Sequence, residues 1–245
     1  MGKVLNKETS VSNKVNSLIK EDYFLKKYLI PLELVLFIIL FGISFYEPAY
    51  FAICIILIVV LAGQMLKLKT NPAEIIKMSF AQKGENEVAK SLEVYLPQKD
   101  YIINDILIES CGNKAQIDHL VINENGLFVI ETKNYIGEIS GDAKDDKVKQ
   151  TKINGTHKFV TNPVLQNRRH CDVLKQFLKN NNISVDEKNI ISVIIMGEMK
   201  IVWNITNNDA FIGLIWQAAD YIKKYESENK LTTETIQKII KAVLP

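Results

Sequence analysis

Three charged side chains, Asp118, Glu131 and Lys133, interrupt two apolar runs that an Asn/Gly turn joins within QIDHLVINENGLFVIETKN. Two carboxylates held close together repel each other, and an apolar sheet adds the cost of removing them from water. A divalent cation relieves both penalties, and carboxylate oxygens suit Mg²⁺ or Mn²⁺. An adjacent lysine can then orient or activate a water molecule, or stabilise charge on a phosphate. The plainer alternative is a cross-strand ion pair between Asp118 and Lys133, with Glu131 solvated beside it.

The length of the turn decides whether these side chains meet. Alternate residues of a strand share a face, so Glu131 and Lys133 point the same way. A two-residue turn at Asn125–Gly126 places Asp118 opposite Lys133, whereas a four-residue loop, Asn123 to Gly126, places it opposite Glu131. Both even loops bring the three side chains to one face, and a three-residue loop does not.

The elements that must position this hairpin lie between about residues 70 and 245. A helical stretch begins at Asn71 and ends at Pro97, with Gly84 marking a break or a close approach. The remaining predicted elements are strands over 101–109, 189–197 and the KIVWNI segment, and helices over 163–180, about 212–230 and 233–243. The order α-β-β-β-α-β-β-α-α predicts an α/β fold, a single domain with a mixed central sheet flanked by helices.

Two apolar runs precede this domain and predict a transmembrane helical hairpin over residues 28–68. They extend from Tyr28 to Tyr46 and from Ala49 to Leu66, each near the roughly 17–25 residues that cross a bilayer. Lysines flank the outer ends, among them Lys20, Lys26, Lys27, Lys67 and Lys69, and the connecting loop has none. Because positive charge stays inside, we expect both termini, including the polar segment 1–27, in the cytoplasm. The expected location is therefore the cell membrane, as a multi-pass protein with the lipid bilayer as a partner.

The apolar runs have three other possible interpretations. A cleaved signal peptide would begin earlier and have a shorter apolar core, and Gln64 stands where a lipoprotein site would need cysteine. A pair of buried core helices stays open as an alternative. Glu33, the one acid inside the first run, is near the interface and is expected to reach toward the headgroups.

Composition sets few limits on function. The net charge is +2 with 24% charged residues, so any case for a nucleic-acid partner must rest on local charge. The three cysteines are scattered and odd in number, which argues against a disulfide framework or zinc site and fits a reducing cytoplasm.

Four motifs in order, GENEVAKSL, QIDHLVINENGLFVIETKN, GEISGD and NPVLQN, resemble the nuclease-related domain (NERD) family of the PD-(D/E)xK nuclease superfamily. The resemblance covers about Gly84 to Asn167, with the strand at Ile190–Met196 belonging to it as well. It implies a restriction-endonuclease-like fold and phosphodiester hydrolysis with Mg²⁺ or Mn²⁺, and DNA is expected as the substrate in preference to RNA. Family members often have a tryptophan after G-x-I, and this chain lacks it, which bears on substrate contacts in that loop.

The resemblance also implies a role for each residue of the hairpin site. Asp118 and Glu131 would bind the metal, and the Thr132 carbonyl would add an oxygen ligand. Lys133 would assist the attacking water. His119 follows Asp118 and points to the opposite face, so it is expected to be packed or hydrogen-bonded instead of catalytic.

Two residues outside the hairpin complete the site that the resemblance implies. Glu85 would come from the preceding helix to join the carboxylates as a metal ligand, and Gln166 would face the site from the next helix. The plainer alternatives, a solvated Glu85 beside Glu87 and a surface Gln166, stay open.

A basic stretch follows the hairpin. Six lysines and arginines without an intervening acid are expected to contact a phosphate backbone: Lys147, Lys149, Lys152, Lys158, Arg168 and Arg169. A solvated loop and helix face is the alternative, and acids just upstream, Asp142, Asp145 and Asp146, weaken the local field.

The sequence thus favours a membrane-anchored, metal-dependent nuclease. The alternative is a non-catalytic nucleic-acid-binding or signalling module that keeps the nuclease fold. The sequence predicts no oligomeric state.

Overall fold

The computed structural model describes residues 1–6, 24–67, 72–197 and 201–244. The chain divides into two compact units, Ser10–Gln82 and a unit formed by Met1–Thr9 together with Lys83–Pro245. Most of the polar segment predicted over 1–27 lies outside the described residues, as do the flanking Lys20 and Lys69 and the predicted helix cap Asn71.

The elements are named in chain order. The helices are α1 Ile30–Ser44, α2 Ala49–Lys67, α3 Pro72–Tyr95, α4 Pro163–Asn180, α5 Ile215–Lys224 and α6 Thr233–Val243. The strands are β1 Lys3–Val4, β2 Tyr101–Ser110, β3 Asn113–Asn123, β4 Gly126–Lys133, β5 Gly137–Asp142, β6 Lys147–Thr151, β7 His157–Thr161, β8 Ile190–Met196, β9 Ile201–Thr206 and β10 Phe211–Gly213.

The two apolar runs form the neighbouring helices α1 and α2. Most of their large apolar side chains are exposed, which does not fit the alternative of buried core helices. Among the described residues, the segment Lys27–Ser44 is the one helix long and apolar enough to cross a membrane, with mean hydropathy 2.0, and Ala49–Met65 is apolar but shorter. Glu33 accepts a hydrogen bond of 2.8 Å from Gln64 Nε2 on α2. Glu33 thus has a polar partner on the facing helix, and its expected position near the headgroups stays a prediction.

The first sheet has six strands in the order β1-β2-β3-β4-β8-β10. Apolar residues on one face pack against α4 and α6, and those on the other face pack against α3 and α5. Strands covered on both faces read as nearly continuous apolar runs, which is why β3, β4 and β8 were recognisable in the sequence. The predicted mixed sheet flanked by helices is confirmed for this part of the chain.

The second sheet has four strands in the order β7-β6-β5-β9, and the single-sheet prediction is wrong here. Its inner face carries Ile139, Val148 and Trp203, and Trp203 packs with Ile194 and Met196 of the first sheet's strand β8. The sequence prediction missed β5, β6 and β7 because these short strands alternate apolar with polar residues and contain lysine, threonine and glycine. Gly137 begins β5 with φ 92°, and a Cβ there would lie 2.1 Å from the Thr151 carbonyl oxygen.

The predicted helices differ from the observed ones mainly at their ends. Helix α4 has the predicted bounds, with the Asn162 side chain accepting from Val164 N at 3.1 Å. Helix α5 covers less than the predicted 212–230, because its start is taken by β10 and Tyr225 has extended backbone after its last turn. Helix α3 runs through Gly84 without a break, so a break there is the wrong interpretation.

The first residues of the chain complete the edge of the first sheet. Lys3 and Val4 pair in parallel with Tyr101 and Ile102. Asn6 Oδ1 accepts from Asn104 N at 2.7 Å, and the Asn104 side chain donates to Asn6 O at 3.2 Å. A strand that no periodicity predicted therefore joins the chain's first residues to the domain.

Candidate functional site

The hairpin of β3 and β4 has an even loop. Ile122 pairs with Leu127 and Asn123 pairs with Gly126, so Glu124 and Asn125 form the turn. Continuing the same register places Asp118 opposite Glu131, as in the alternative with the longer loop. Gly126 is needed there, because a Cβ would lie 2.7 Å from the Asn189 carbonyl oxygen.

Asp118 is held by the partner strand. Its Oδ2 accepts a hydrogen bond of 2.8 Å from the backbone N–H of Thr132. Burial, followed by the negative charges of Glu131 and Glu85, raises its pKa well above the usual range, although the Thr132 N–H and Lys133 act in the other direction. A carboxyl in this position favours its protonated form unless positive charge arrives.

Glu131 is the most enclosed acid of the site, at 2% exposure. Lys133 Nζ and Gln166 Nε2 both donate to its Oε1, the latter at 2.9 Å. His170 Nδ1 lies 3.3 Å from Oε2, within ion-pair distance, but Oε2 has no aligned hydrogen-bond donor among the described residues. Burial acts to raise the pKa of Glu131, yet His170 and Lys133 hold it below its usual value. Of two carboxyls facing each other, Glu131 is therefore the ionised one.

Lys133 remains charged in this environment. Burial alone would lower the pKa of its ammonium group, but the neighbouring Glu131 raises it above the usual value. An ammonium held in this way donates hydrogen bonds and does not act as a base. The following Tyr135, whose pKa burial raises, lies within electrostatic range of Lys133 and donates to the Thr161 carbonyl oxygen at 3.2 Å.

Glu85 approaches from α3. It is partly buried, and burial, Asp105 and Glu131 raise its pKa to about 7. The preceding Gly84 meets the side chain of Asn134, and so does Gly197 after β8: a Cβ would lie 2.0 Å from Asn134 Nδ2 at the first position and 1.7 Å from Asn134 Oδ1 at the second. The Asn134 amide thus lies between the helix and the end of β8, where it fixes the approach of α3. Gly84 marks a close approach, as one of the two sequence interpretations stated.

Two residues near the site were missed by sequence reasoning. Asn104 pairs with His119 and Ile106 with Ile117, which leaves Asp105, at φ 50°, opposite Asp118. Gln116 donates to Asp105 at 2.7 Å. A single acid within an apolar strand carries little signal, although a non-glycine residue with positive φ marks an unusual position. His170, one turn after Gln166 on α4, could have been found by its helical spacing from that residue.

The carboxylate oxygens of the site are the type of ligand that a hard cation prefers, but they are not arranged closely around one point. Among the described residues, no three His, Cys, Asp or Glu side chains are close enough together to hold a metal ion. Yet the donors are oxygens, and Glu131 Oε2 is buried without a hydrogen-bond partner among the described residues. Burial, followed by neighbouring negative charge, raises the pKa of both Asp118 and Glu85. A divalent cation would relieve this repulsion.

The other predicted residues lie in different places. His119 is buried and its Nδ1 lies 2.8 Å from Asn104 Oδ1; burial lowers its pKa to about 4, so the packed, hydrogen-bonded histidine is confirmed. Lys147 and Lys149 are exposed on β6, Lys152 lies in the turn after it, and Lys158 lies on β7. The two arginines are paired with acids, Arg168 with Asp209 at 2.6 Å and Arg169 with Asp146 at 2.8 Å.

The raised pKa of Glu85 predicts a stability that depends on pH. Between its ordinary value of 4.5 and about 7, the folded state binds more protons than the unfolded state, so stability falls as pH rises through this window. Asp118 acts in the same direction. We expect Glu85→Gln, without divalent metal, to melt at a higher temperature than wild type at pH 8 and to lose less stability between pH 5 and pH 8. Thermal melts in EDTA measure this, and equal pH slopes for both proteins would contradict it.

Comparisons with known proteins place this geometry in a family. Residues 81–197 match the family model of the nuclease-related domain, NERD. Among curated proteins, an uncharacterized protein of Bacillus anthracis is 34% identical over 97 residues, which are 39% of this chain and 45% of that protein. The chain thus spans less than half the length of this relative. No solved structure matches the chain significantly.

The family match contains the whole hairpin site together with Glu85, Gln166 and strand β8. The register that sets Asp118 opposite Glu131, with Lys133 against Glu131, is the arrangement in which an Asp and a Glu-x-Lys pair share a site. Residues 81–197 of this chain are therefore a nuclease-related domain, a member of the PD-(D/E)xK nuclease superfamily.

Proposed function

We propose that this chain is a membrane-anchored, metal-dependent nuclease that hydrolyses phosphodiester bonds in DNA. One observation carries the proposal. Asp118 and Glu131 oppose each other across β3 and β4, with Lys133 in contact with Glu131. Two carboxylates that repel each other in a mostly apolar hairpin cost stability, and beside a charged lysine they suit a site for a cation and a phosphate.

The residues would divide the work as follows. Lys133 donates toward the scissile phosphate or the attacking water and offsets the negative charge that develops there. Gln166 and His170 position Glu131, because both contact its carboxylate. Asp118 is positioned by the Thr132 N–H. None of these contacts requires the helix or the strands to move.

Magnesium or manganese would be held by Asp118 and Glu131, with Glu85 and the Thr132 carbonyl as further ligands. When bound, such an ion supplies a Lewis acid that polarises a phosphoryl oxygen and lowers the pKa of water. Its ligands must be deprotonated, so the raised pKa values of Asp118 and Glu85 predict tighter metal binding at pH 8 than at pH 6.

The test uses the full chain in detergent micelles, because Met1–Thr9 belongs to the same compact unit as the nuclease-related domain. Linear, circular and single-stranded DNA and RNA are incubated with Mg²⁺, Mn²⁺ or EDTA. Cleavage of DNA that needs the metal supports the proposal. Absence of cleavage on every substrate, together with absence of metal binding by calorimetry, would overturn it.

A non-catalytic nucleic-acid-binding or signalling module is the second candidate. The observation that favours it is the absence, among the described residues, of three metal-binding side chains brought close together. Nucleic-acid binding that is independent of metal, without cleavage, would support this candidate.

We also propose that α1 and α2 cross the membrane as a pair and leave both termini in the cytoplasm. Of the helices that the structure describes, Lys27–Ser44 alone meets the length expected for crossing. However, Met1–Thr9 and Lys83–Pro245 form one compact unit, with β1 paired to β2. A single crossing would separate these segments on opposite sides, so the pairing supports an even number of crossings. The bond between Gln64 and Glu33 also gives two polar groups of the hairpin a partner within it.

The proposal that α1 and α2 both cross the membrane predicts which parts of the chain lie outside the cytoplasm. A reporter that is active only outside the cytoplasm is fused to either terminus or inserted between Glu47 and Pro48. We expect a signal from the insertion alone, because the short loop between the helices is the part exposed outside. A signal from the C-terminal fusion would contradict the two-span arrangement.

A further inference from the structure

The second sheet leaves one of its faces open to solvent. Side chains along β6 alternate between the two faces of the sheet: Val148 and Gln150 are buried, and Lys147 and Lys149 are exposed. Cross-strand partners share a face. The exposed face, here called the outer face, therefore contains Phe159 opposite Lys149 and Thr161 opposite Lys147.

The composition of the outer face is unusual for a surface that only meets water. Phe159 is 67% exposed and stands beside Lys149, whose other neighbour in the sheet is Ser140. Asn204 lies one strand further along the same row. An aromatic ring, an ammonium group, a hydroxyl and an amide thus form one row across four strands.

The charge of the outer face favours an anion at its β6 and β7 edge. The acids of this face are Glu138 and Asp142, and both accept hydrogen bonds from β9 and the residue after it: Glu138 from Asn204, and Asp142 from Thr206 and Asn207. Lys147 and Lys149 lie on the other side of β5 and have no ion-pair partner among the described residues. Lys158 is on the opposite face of β7, since it pairs with the buried Gln150.

The outer face also leads toward the hairpin site. Thr161, at the end of β7, accepts a hydrogen bond from Tyr135 through its carbonyl oxygen. Tyr135 lies within electrostatic range of Lys133 and Glu131. A chain laid across Phe159 and along the lysines toward Thr161 would therefore run toward Tyr135, on the side of the hairpin site.

We propose that the outer face binds single-stranded nucleic acid, with one base stacked on Phe159 and the backbone phosphates at Lys149 and Lys147. An unpaired base exposes the flat surface that an aromatic side chain can stack on, whereas bases inside a duplex are stacked on each other and the duplex offers phosphates and groove edges. This inference rests on the proposed function, because it names the substrate class of the same nuclease: a single strand or a frayed duplex end. This inference also reduces the number of residues expected to contact phosphates. Lys158 lies on the opposite face of the sheet, and Arg168 and Arg169 are paired with acids.

Binding is measured without cleavage, by fluorescence anisotropy of a labelled oligothymidine and of a duplex of equal length, in EDTA, with the full chain in detergent micelles. We expect Phe159→Ala to weaken binding of the single strand about tenfold, the size of one lost base stack, and to leave duplex binding nearly unchanged. Phe159→Trp retains binding. Lys149→Gln weakens binding and lowers its dependence on salt, whereas the matched control Lys179→Gln, which changes an exposed lysine in the last turn of α4, leaves both nearly unchanged.

Several outcomes would overturn the inference. Equal losses for single strand and duplex would mean that Phe159 does not stack on a base, and full binding by Phe159→Ala would mean that the outer face is not used. If Phe159→Ala dissociates an oligomer in sedimentation while nucleic-acid binding stays intact, the outer face is a contact between copies of this chain. Because EDTA removes cleavage from the measurement, the nuclease proposal can fail while this binding persists, and the reverse holds as well.

Discussion

Asp118→Asn is expected to abolish metal-dependent cleavage while the domain stays folded. The asparagine amide oxygen can still accept from the Thr132 N–H, so the hairpin keeps its geometry, but the negative charge that would hold a cation is gone. Lys133→Ala is expected to lower the cleavage rate about 10²–10³-fold, the usual effect of removing one stabilising donor. Rates on labelled DNA with Mg²⁺ measure both effects.

A second readout separates loss of chemistry from loss of structure. The pKa of Asp118 is raised in the folded state, so replacing the carboxyl removes a group that costs stability when it ionises. Asp118→Asn should therefore melt no lower than wild type at pH 8 in EDTA. Glu109→Gln, which changes an exposed acid paired with Lys114 on the same sheet, is the matched control and should cleave normally. Cleavage that survives both Asp118→Asn and Lys133→Ala would exclude this site.

Asn167→Ala is expected to cause the largest loss of stability among changes near the site. The Asn167 side chain is fully buried on α4, and its Nδ2 donates toward Val129 O at 2.9 Å, Ser192 Oγ at 2.9 Å and Val193 O at 3.1 Å. Its removal leaves buried acceptors on β4 and β8 without this donor, at a cost of about 2–4 kcal/mol. We expect the melting temperature to fall by roughly 5–10 °C, as measured by thermal denaturation.

Gln166, next to Asn167, provides a control in which cleavage changes and stability does not. Gln166 is only partly buried and its amide contacts Glu131, so Gln166→Ala should slow cleavage while changing the melting temperature little. Asn167→Ala, assayed well below its melting temperature, should retain more of the cleavage rate than Gln166→Ala. If both substitutions lower stability equally, the proposed division between these two residues is wrong.

The parts of the fold that were predictable are those whose signals are local. Helix α4 has the predicted bounds because a capping asparagine and a proline mark its start and an apolar periodicity continues to its end. Strands β3, β4 and β8 were predictable because burial on both faces leaves apolar runs. The second sheet was not predictable, because strands with one solvated face and several lysines resemble a loop in composition.

The residues of the site were also predictable only where their signal in the sequence is local. The hairpin residues could be identified because charged side chains within apolar strands are costly to bury and therefore uncommon. These residues are Asp118, Glu131 and Lys133. The register could be narrowed only to an even loop, because the choice between Asp118 facing Glu131 or Lys133 depends on how the turn closes. Asp105 reaches the site through strand pairing, a tertiary contact that sequence spacing does not reveal, whereas the position of His170 one turn after Gln166 is a spacing that the sequence does contain.

The pairing of β1 with β2 sets an order of events during synthesis. Asn6 and Asn104 are separated by 98 positions, and both apolar helices lie between them. At about 5–20 residues per second, the partner of the first strand is made on the order of ten seconds after it. During that time β1 is already made but has no partner strand, and contacts between such distant residues form slowly. The edge of β2 stays open from its synthesis until β1 pairs with it, and an open strand edge invites pairing with another molecule, so the pairing of β1 protects the newly made domain against aggregation.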